Sequence, residues 1–217
     1  MDYELARHNM IEQQIRPWEV LDQRVLDLMQ RVKREDFVPP QYRSLAFVDM
    51  EIPLGHGVSM WAPKIEARVL QALAIQPQDR VLEVGTGSGY FTALLASQAM
   101  QVVSVEIETE LRTDAEAKLR AHGFANATCK QGDAARDWSE DGQFDVIVLT
   151  GSCPVLPEAY LQRLKPGGRL FVIVGEAPAM EATLITRTSH ESYRADNLFE
   201  TSVSSLRNAP QPETFVF

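Results

Sequence analysis

Cysteine is scarce in this chain. Cys129 and Cys153 alone occur among 217 residues. They fall on separate predicted elements, so no disulfide framework is expected. The four histidines, His8, His56, His122 and His190, show neither H-x-x-x-H nor Cys/His spacing, and no metal site is expected. Positive charge is short as well: 21 Lys and Arg stand against 30 Asp and Glu, a net charge of −9. The chain therefore has no basic footprint for a nucleic-acid backbone or an anionic membrane surface, and neither partner is expected. The excess acid reads as solubility. No apolar run is long enough to span a bilayer, and the first ten residues, MDYELARHNM, lack a basic stretch followed by an apolar one. A cytoplasmic setting is the expectation. Internal repeats, low-complexity segments and flexible linkers are also missing. With 45% apolar and 24% charged residues the composition is that of a globular protein. Residues 1–217 are expected to form one domain, with an N-terminal helical segment and a site-covering loop over 1–79 and an α/β core over 80–217.

What is present is densest between Arg80 and Tyr90, RVLEVGTGSGY. Val81, Leu82 and Val84 form a short strand-forming run, and glycines follow at once. Gly85, Gly87 and Gly89 alternate with Thr86 and Ser88, as needed where the backbone takes positive φ or a ligand approaches the main chain. Phe91 to Ala99 reads as a helix pointing its N-terminus back at the loop. A strand from Gln101 to Val105 then delivers Glu106 at its carboxyl end. Strand, glycine turn, helix, strand and acid make the first half of a doubly wound nucleotide-binding unit, with the acid placed for ribose hydroxyls. The spacing is G-x-G-x-G rather than the dinucleotide pattern G-x-G-x-x-G, and Glu83 precedes it. An anion at Glu83 opposes a pyrophosphate and suits a cationic ligand. S-adenosyl-L-methionine carries an ammonium and a sulfonium and no phosphate. The loop resembles motif I of the class I S-adenosylmethionine-dependent methyltransferases.

The flanking chain is consistent with an α/β architecture. Glu4 to Arg16 reads as one helix ended by Pro17, and Asp22 caps a second with Val25, Leu28, Met29 and Val32 on one face. Paired Pro39 and Pro40 stop any helix after Arg34 to Asp36. Ile52 to Pro63, with two glycines and two prolines, reads as a loop able to cover a site, and Pro63 opens the next helix. After Glu106 the spacing predicts a helix over 108–122 with Gly123 as its C-cap, then strands over 127–131 and 144–150. A helix over 156–164, a turn over 165–168 and a strand over 169–174 follow. Two further strands, 182–188 and 198–206, have no helix between them. The expected fold is a doubly wound, Rossmann-like sheet, mostly parallel with an antiparallel C-terminal pair, preceded by the N-terminal helical segment. That final pair and the LKPGGRL turn are features of the methyltransferase class.

A narrower resemblance rests on Arg34 to Pro39 (REDFVP), Tyr42, Ala46, Asp49 and Pro53 to Gly57 (PLGHG). It continues through Leu82 to Tyr90, Val105-Glu106, Gly132-Asp133, Phe144-Asp145 and Leu164 to Leu170. Over roughly 12–175 the chain resembles the protein-L-isoaspartate O-methyltransferases. The resemblance implies methyl transfer from S-adenosyl-L-methionine to the free carboxylate of isoaspartyl residues in aged peptides and proteins. It implies that Glu83, Gly85, Thr86, Gly87, Ser88, Gly89, Glu106 and Asp133 hold the cofactor, Asp133 at the adenine amino group. The family typically continues after PLGHG with glutamine, threonine, an aliphatic residue and an active-site serine. Here Val58, Ser59, Met60 and Trp61 stand in those places. Ser59 keeps a hydroxyl, whereas Trp61 loses one and fills its volume. Ser59 and Trp61 are thus the candidate catalytic-loop residues, and Trp61→Ser is expected to improve turnover of isoaspartyl peptides. Trp61 is open to two readings, a packing residue or the wall of a pocket for a different acceptor. Two other functions stay in view: a small-molecule O- or C-methyltransferase on the same scaffold, and a non-catalytic methyltransferase-like module. The intact glycine loop and Glu106 speak against the last.

Overall fold

The computed structural model describes residues 2–139 and 142–212. The outermost residues of the expected 1–217 domain, and positions 140 and 141, lie outside the described residues. Helix α1 (Tyr3–Met10) starts at Asp2, whose carboxylate accepts from the Glu4 and Leu5 amides. The single helix expected over 4–16 instead changes its winding. Ile11–Ile15 is π-helical and Arg16–Trp18 is a 3₁₀ turn that contains Pro17, so left-handed Glu19 (φ 59°) ends it rather than the proline. Helix α2 (Gln23–Arg31) is capped by Asp22 as expected and buries Val25, Leu28 and Met29. Two 3₁₀ turns, Arg34–Asp36 and Pro40–Leu45, surround the paired prolines.

The stretch read as a loop is a β-hairpin. Strand β1 (Ile52–Gly55) pairs antiparallel with β2 (Val58–Met60), Ile52 facing Met60, both buried. Glycine and proline read as punctuation in sequence. Here Gly55, His56 and Gly57 all take positive φ at the tip, so the same residues that look like a loop close a turn. Helix α3 (Pro63–Leu73) opens on Pro63 and buries Ile65, Val69, Leu70 and Leu73.

The remaining elements alternate: β3 (Arg80–Val84), α4 (Tyr90–Ala96), β4 (Gln101–Glu106), α5 (Thr109–Ala121), β5 (Ala127–Gln131), β6 (Phe144–Cys153), α6 (Ala159–Arg163) and β7 (Leu164–Glu176). Strands β8 (Ala179–Arg187) and β9 (Tyr193–Thr201) close the sheet, in the order β5-β4-β3-β6-β7-β8-β9. Strands β5 to β7 pair in parallel, and β8 and β9 are antiparallel. This is the doubly wound, mostly parallel sheet with an antiparallel end. The chain steps outward from β3 to β5 and then returns to β6 on the other side of β3, which opens a crevice at the carboxyl ends there. Alternate strand residues face opposite sides. Val81, Val102, Val146 and Phe171 pack with the N-terminal helices and α4, while Leu82, Val103, Ile147 and Leu170 pack with Tyr160 of α6 and Trp138.

Several boundaries differ from expectation: α4 ends at Ala96 rather than Ala99, β6 runs on to Cys153, and β8 begins at Ala179. The 165–168 turn lies within β7 as a bulge, because Phe144 faces Leu164 while Val146 faces Arg169. Helix α6 is shorter than 156–164. The last strand is 193–201 rather than 198–206, since an edge strand tolerates the polar run Arg194 to Asn197. The released residues double back: the Ser152 amide donates to the Ser204 carbonyl and the Leu206 amide donates to that of Ser152. Among the described residues no helix is long and apolar enough to cross a membrane.

Candidate active site

A cavity of about 390 Å³ opens at the carboxyl ends of β3, β4 and β6. Its size and place suit a nucleoside-sized ligand at a topological switch point. The glycine loop forms its floor. Gly85 (φ 97°) donates to the Val105 carbonyl at 2.8 Å, and a Cβ built there would collide with the Thr150 hydroxyl. That hydroxyl reaches the Val84 and Gly85 carbonyls at 2.8 and 2.6 Å. Only glycine fits here, for backbone and for space. Gly87 lies under Leu54 of the hairpin, 3.2 Å from where a Cβ would stand.

Glu106, at the end of β4, is 6% exposed and lines the cavity. Its Oε2 accepts the Gly87 amide at 2.9 Å and its Oε1 the Glu108 amide at 3.0 Å. Each oxygen keeps a lone pair for a ligand. Asp133 lies exposed at the far end, Oδ1 accepting from the Ala135 amide at 3.1 Å and Oδ2 from Asn208 Nδ2 at 2.7 Å. Thr86 and Ser88 also face the cavity.

Glu83 and Gly89 do not. Glu83 is fully buried behind the loop, its Oε2 accepting from the Thr92 and Ser104 hydroxyls at 2.5 and 2.6 Å. Burial pushes its pKa up to about 8, against the pull of those two hydroxyls. Ser104 also meets the Thr86 hydroxyl at 2.6 Å, so a hydroxyl chain joins the hidden acid to the cavity wall. The sequence expectation of an anion pointing at the ligand is therefore not what the geometry presents. Gly89 caps α4 at φ 81°, and a Cβ there would stand 3.0 Å from Ala115 of α5. Its glycine serves packing between helices.

The other half of the cavity is walled by the hairpin and helices α3 and α4. Ser59 and Trp61 both line it. The Trp61 ring is 6% exposed and sits edge-on to Phe91 (5.3 Å between centroids) and Phe171 (6.0 Å). Its carbonyl accepts from Arg34 Nη2 at 2.6 Å. Trp61 is thus a packing residue and a wall at once. Several further wall residues are not among those the sequence singles out. Thr150 and Gly151 carry the signal of ending an apolar strand at the correct edge. Glu66 on α3 and the segment 203–207 carry none, because their place depends on long-range packing. Arg207 pairs with Glu108, and His56 of the hairpin tip lies 3.5 Å from the same carboxylate, so three segments meet at the cavity mouth. Among the described residues no group of three His, Cys, Asp or Glu could hold a metal ion.

The sheet order and the crevice define a Rossmann-like methyltransferase fold. A Plasmodium falciparum structure described as a protein-L-isoaspartate O-methyltransferase in complex with S-adenosyl-L-homocysteine superposes with a TM-score of 0.80. That match covers 95% of this chain and 99% of the other, at 22% identity. The chain belongs to the protein-L-isoaspartate(D-aspartate) O-methyltransferase family, whose sequence model matches residues 5–206. It is 42% identical over 156 residues to a protein-L-isoaspartate O-methyltransferase of Myxococcus xanthus, covering 72% of this chain and 74% of the relative. It is 36% identical to that of Koribacter versatilis over 96% of this chain and 91% of the relative. The match reaches well beyond 12–175, into β8, β9 and the segment that lines the cavity.

Proposed function

We propose that this chain is an S-adenosyl-L-methionine-dependent methyltransferase that esterifies the free carboxylate of isoaspartyl residues in peptides and proteins. Family membership supports this reading. The observation that carries it is the meeting of Glu106, the glycine loop, Ser59 and Trp61 around one cavity. On this reading residues 1–217 act as one catalytic domain, with 1–79 on the acceptor side and 80–217 on the cofactor side.

The residues present fit the cofactor. Gly85 and Gly87 offer bare main chain, and Glu106 would accept ribose hydroxyls on the lone pairs left by Gly87 and Glu108. Asp133 would take the adenine amino group beside Asn208, with Thr86 and Ser88 along the loop. Glu83 and Gly89 would act indirectly, Glu83 by holding Thr86 through Ser104 and Gly89 by seating α4 on α5. When bound, S-adenosyl-L-methionine supplies an electrophilic methyl group on a sulfonium. The chain itself has to orient the acceptor and exclude water. A carboxylate with an ordinary pKa of about 3.9 is already a nucleophilic anion at neutral pH, so no general base is required. The Ser59 hydroxyl would orient it, and Met60, Trp61 and Phe91 would keep water out.

Trp61 favours one second reading, a small-molecule acceptor stacked on the indole. Incubating the protein with a defined isoaspartyl peptide and methyl-labelled cofactor separates the two. A base-labile label on the peptide is expected. An unlabelled peptide with cofactor binding intact would favour the small-molecule acceptor.

A further inference from the structure

Arg34 is completely buried, and each of its three guanidinium nitrogens makes a hydrogen bond. It donates to the Ala46 carbonyl at 2.9 Å, to the Trp61 carbonyl at 2.6 Å and to Glu66 Oε2. Its plane lies over the Tyr90 ring, 5.1 Å from the centroid. Arg34 is not among the residues that line the cavity. Glu66 is different. It is 1% exposed and lines the cavity, yet among the described residues its Oε1 carries no hydrogen bond. A carboxyl oxygen with no protein partner, on a residue that lines the ligand cavity, is available to a partner from the ligand.

The charge state of Glu66 decides which partner. As an anion it would stand beside the carboxylate of an isoaspartyl acceptor, and two carboxylates in one site cannot both ionise cheaply. As a neutral acid it would donate an O–H to that carboxylate, a charge-assisted bond. The charged groups around it are Arg34, which favours the anion, and the buried Arg7–Glu35 pair beyond Tyr90, which is neutral as a pair. Glu51 also lines the cavity, and burial raises its pKa. Desolvation outweighs the close ion pair with Arg34 and raises the pKa of Glu66, which favours its protonated form.

We propose that Glu66 is a specificity-determining residue of this site, which meets the acceptor as a neutral acid and hydrogen-bonds one oxygen of its carboxylate, so that acceptor and proton bind together. This rests on the isoaspartyl reading given above. The second carboxylate oxygen stays free to form the new C–O bond as the C–S bond of the cofactor breaks and its electrons go to sulfur. Glu66 keeps its proton throughout. The product ester is neutral and a weaker acceptor, which favours its release.

The test is the pH profile of kcat/KM for an isoaspartyl peptide in the parent, Glu66→Gln and Glu66→Leu, with cofactor affinity measured for each. Peptide binding by calorimetry in buffers of different ionisation enthalpy reads proton uptake directly. In the parent, kcat/KM should fall by about tenfold per pH unit above the Glu66 pKa. Glu66→Gln, whose amide donates at every pH, should stay active and lose that fall. Glu66→Leu should lose about ten- to a hundredfold at pH 6. Proton uptake should occur in the parent and vanish in Glu66→Gln. A flat parent profile without uptake overturns the proposal, as does Glu66→Gln falling with Glu66→Leu while cofactor affinity holds. No peptide turnover at any pH, with cofactor bound, overturns the isoaspartyl reading itself and this inference with it.

Discussion

The Gly87 amide donates to Glu106 Oε2 across 2.9 Å, so the carboxylate that faces the cavity also ties the glycine loop to the end of β4. Removing it breaks two links at once. Glu106→Ala should leave the Gly87 and Glu108 amides unpaired and take away a charge-assisted acceptor for the ribose. The expected loss is about 1.5–3 kcal/mol, or roughly ten- to 150-fold in cofactor affinity by calorimetry. Equal affinities in parent and variant would take Glu106 out of the site.

Two neighbouring glycines should behave differently. Gly85→Ala forces a side chain into positive φ and against Thr150, whose hydroxyl is already fixed on the loop carbonyls. Gly87→Ala meets only the methyl end of Leu54 at 3.2 Å. Gly85→Ala should abolish measurable cofactor binding and lower the melting temperature. Gly87→Ala should cost about 1–2 kcal/mol, as expected for a left-handed non-glycine residue. Comparable behaviour of the two would refute the role given to Thr150.

The packing of Trp61 changes what its replacement should do. On the sequence alone, Trp61→Ser is expected to turn over isoaspartyl peptides better. The ring lies between Phe91 and Phe171, so its loss opens a hole in the core and should destabilise the protein by about 3–5 kcal/mol. Urea unfolding measures this directly. A variant as stable as the parent would mean the indole is a cavity wall only. Turnover assays on Trp61→Ser should therefore be run well below its melting temperature.

Glu83 should make stability depend on pH. The unfolded chain holds this proton only below about 4.5, whereas the fold holds it up to about 8. The contribution of Glu83 is complete below the lower value and is lost as pH rises through the upper one. Between them the slope is at most about 1.4 kcal/mol per pH unit. Its Oε1 has no partner, as suits a neutral acid better than a buried anion. Glu83→Gln should reduce the decline seen in urea unfolding between pH 5 and 8. Identical slopes would mean that Glu83 is ionised in the fold.

The central unit is legible in the sequence because its geometry is local. A strand, a glycine turn, a helix and a second strand must return Glu106 to the turn, since the parallel pairing of β3 with β4 sets Val84 against Val105 one residue earlier. Binary pattern and turn chemistry suffice there, and likewise for the Asp22 cap and the Pro63 start of α3. For Glu83 the sequence places an acid ahead of the glycines but leaves its direction open. Alternation along a strand says that Glu83 and Val84 face opposite sides, not which side the ligand takes. The hairpin, the 193–201 strand and the returning segment 203–207 are set by pairing with distant chain, where neighbours rather than propensities choose the conformation. The identity of Trp61 cannot separate its two readings, because the deciding contacts come from Phe91 and Phe171. Glu66 is the clearest case: in sequence it is an ordinary acid near a helix start. Only the approach of Arg34, 32 residues away, and the closing of α3 over the cavity make it a buried carboxyl with one oxygen left to a ligand.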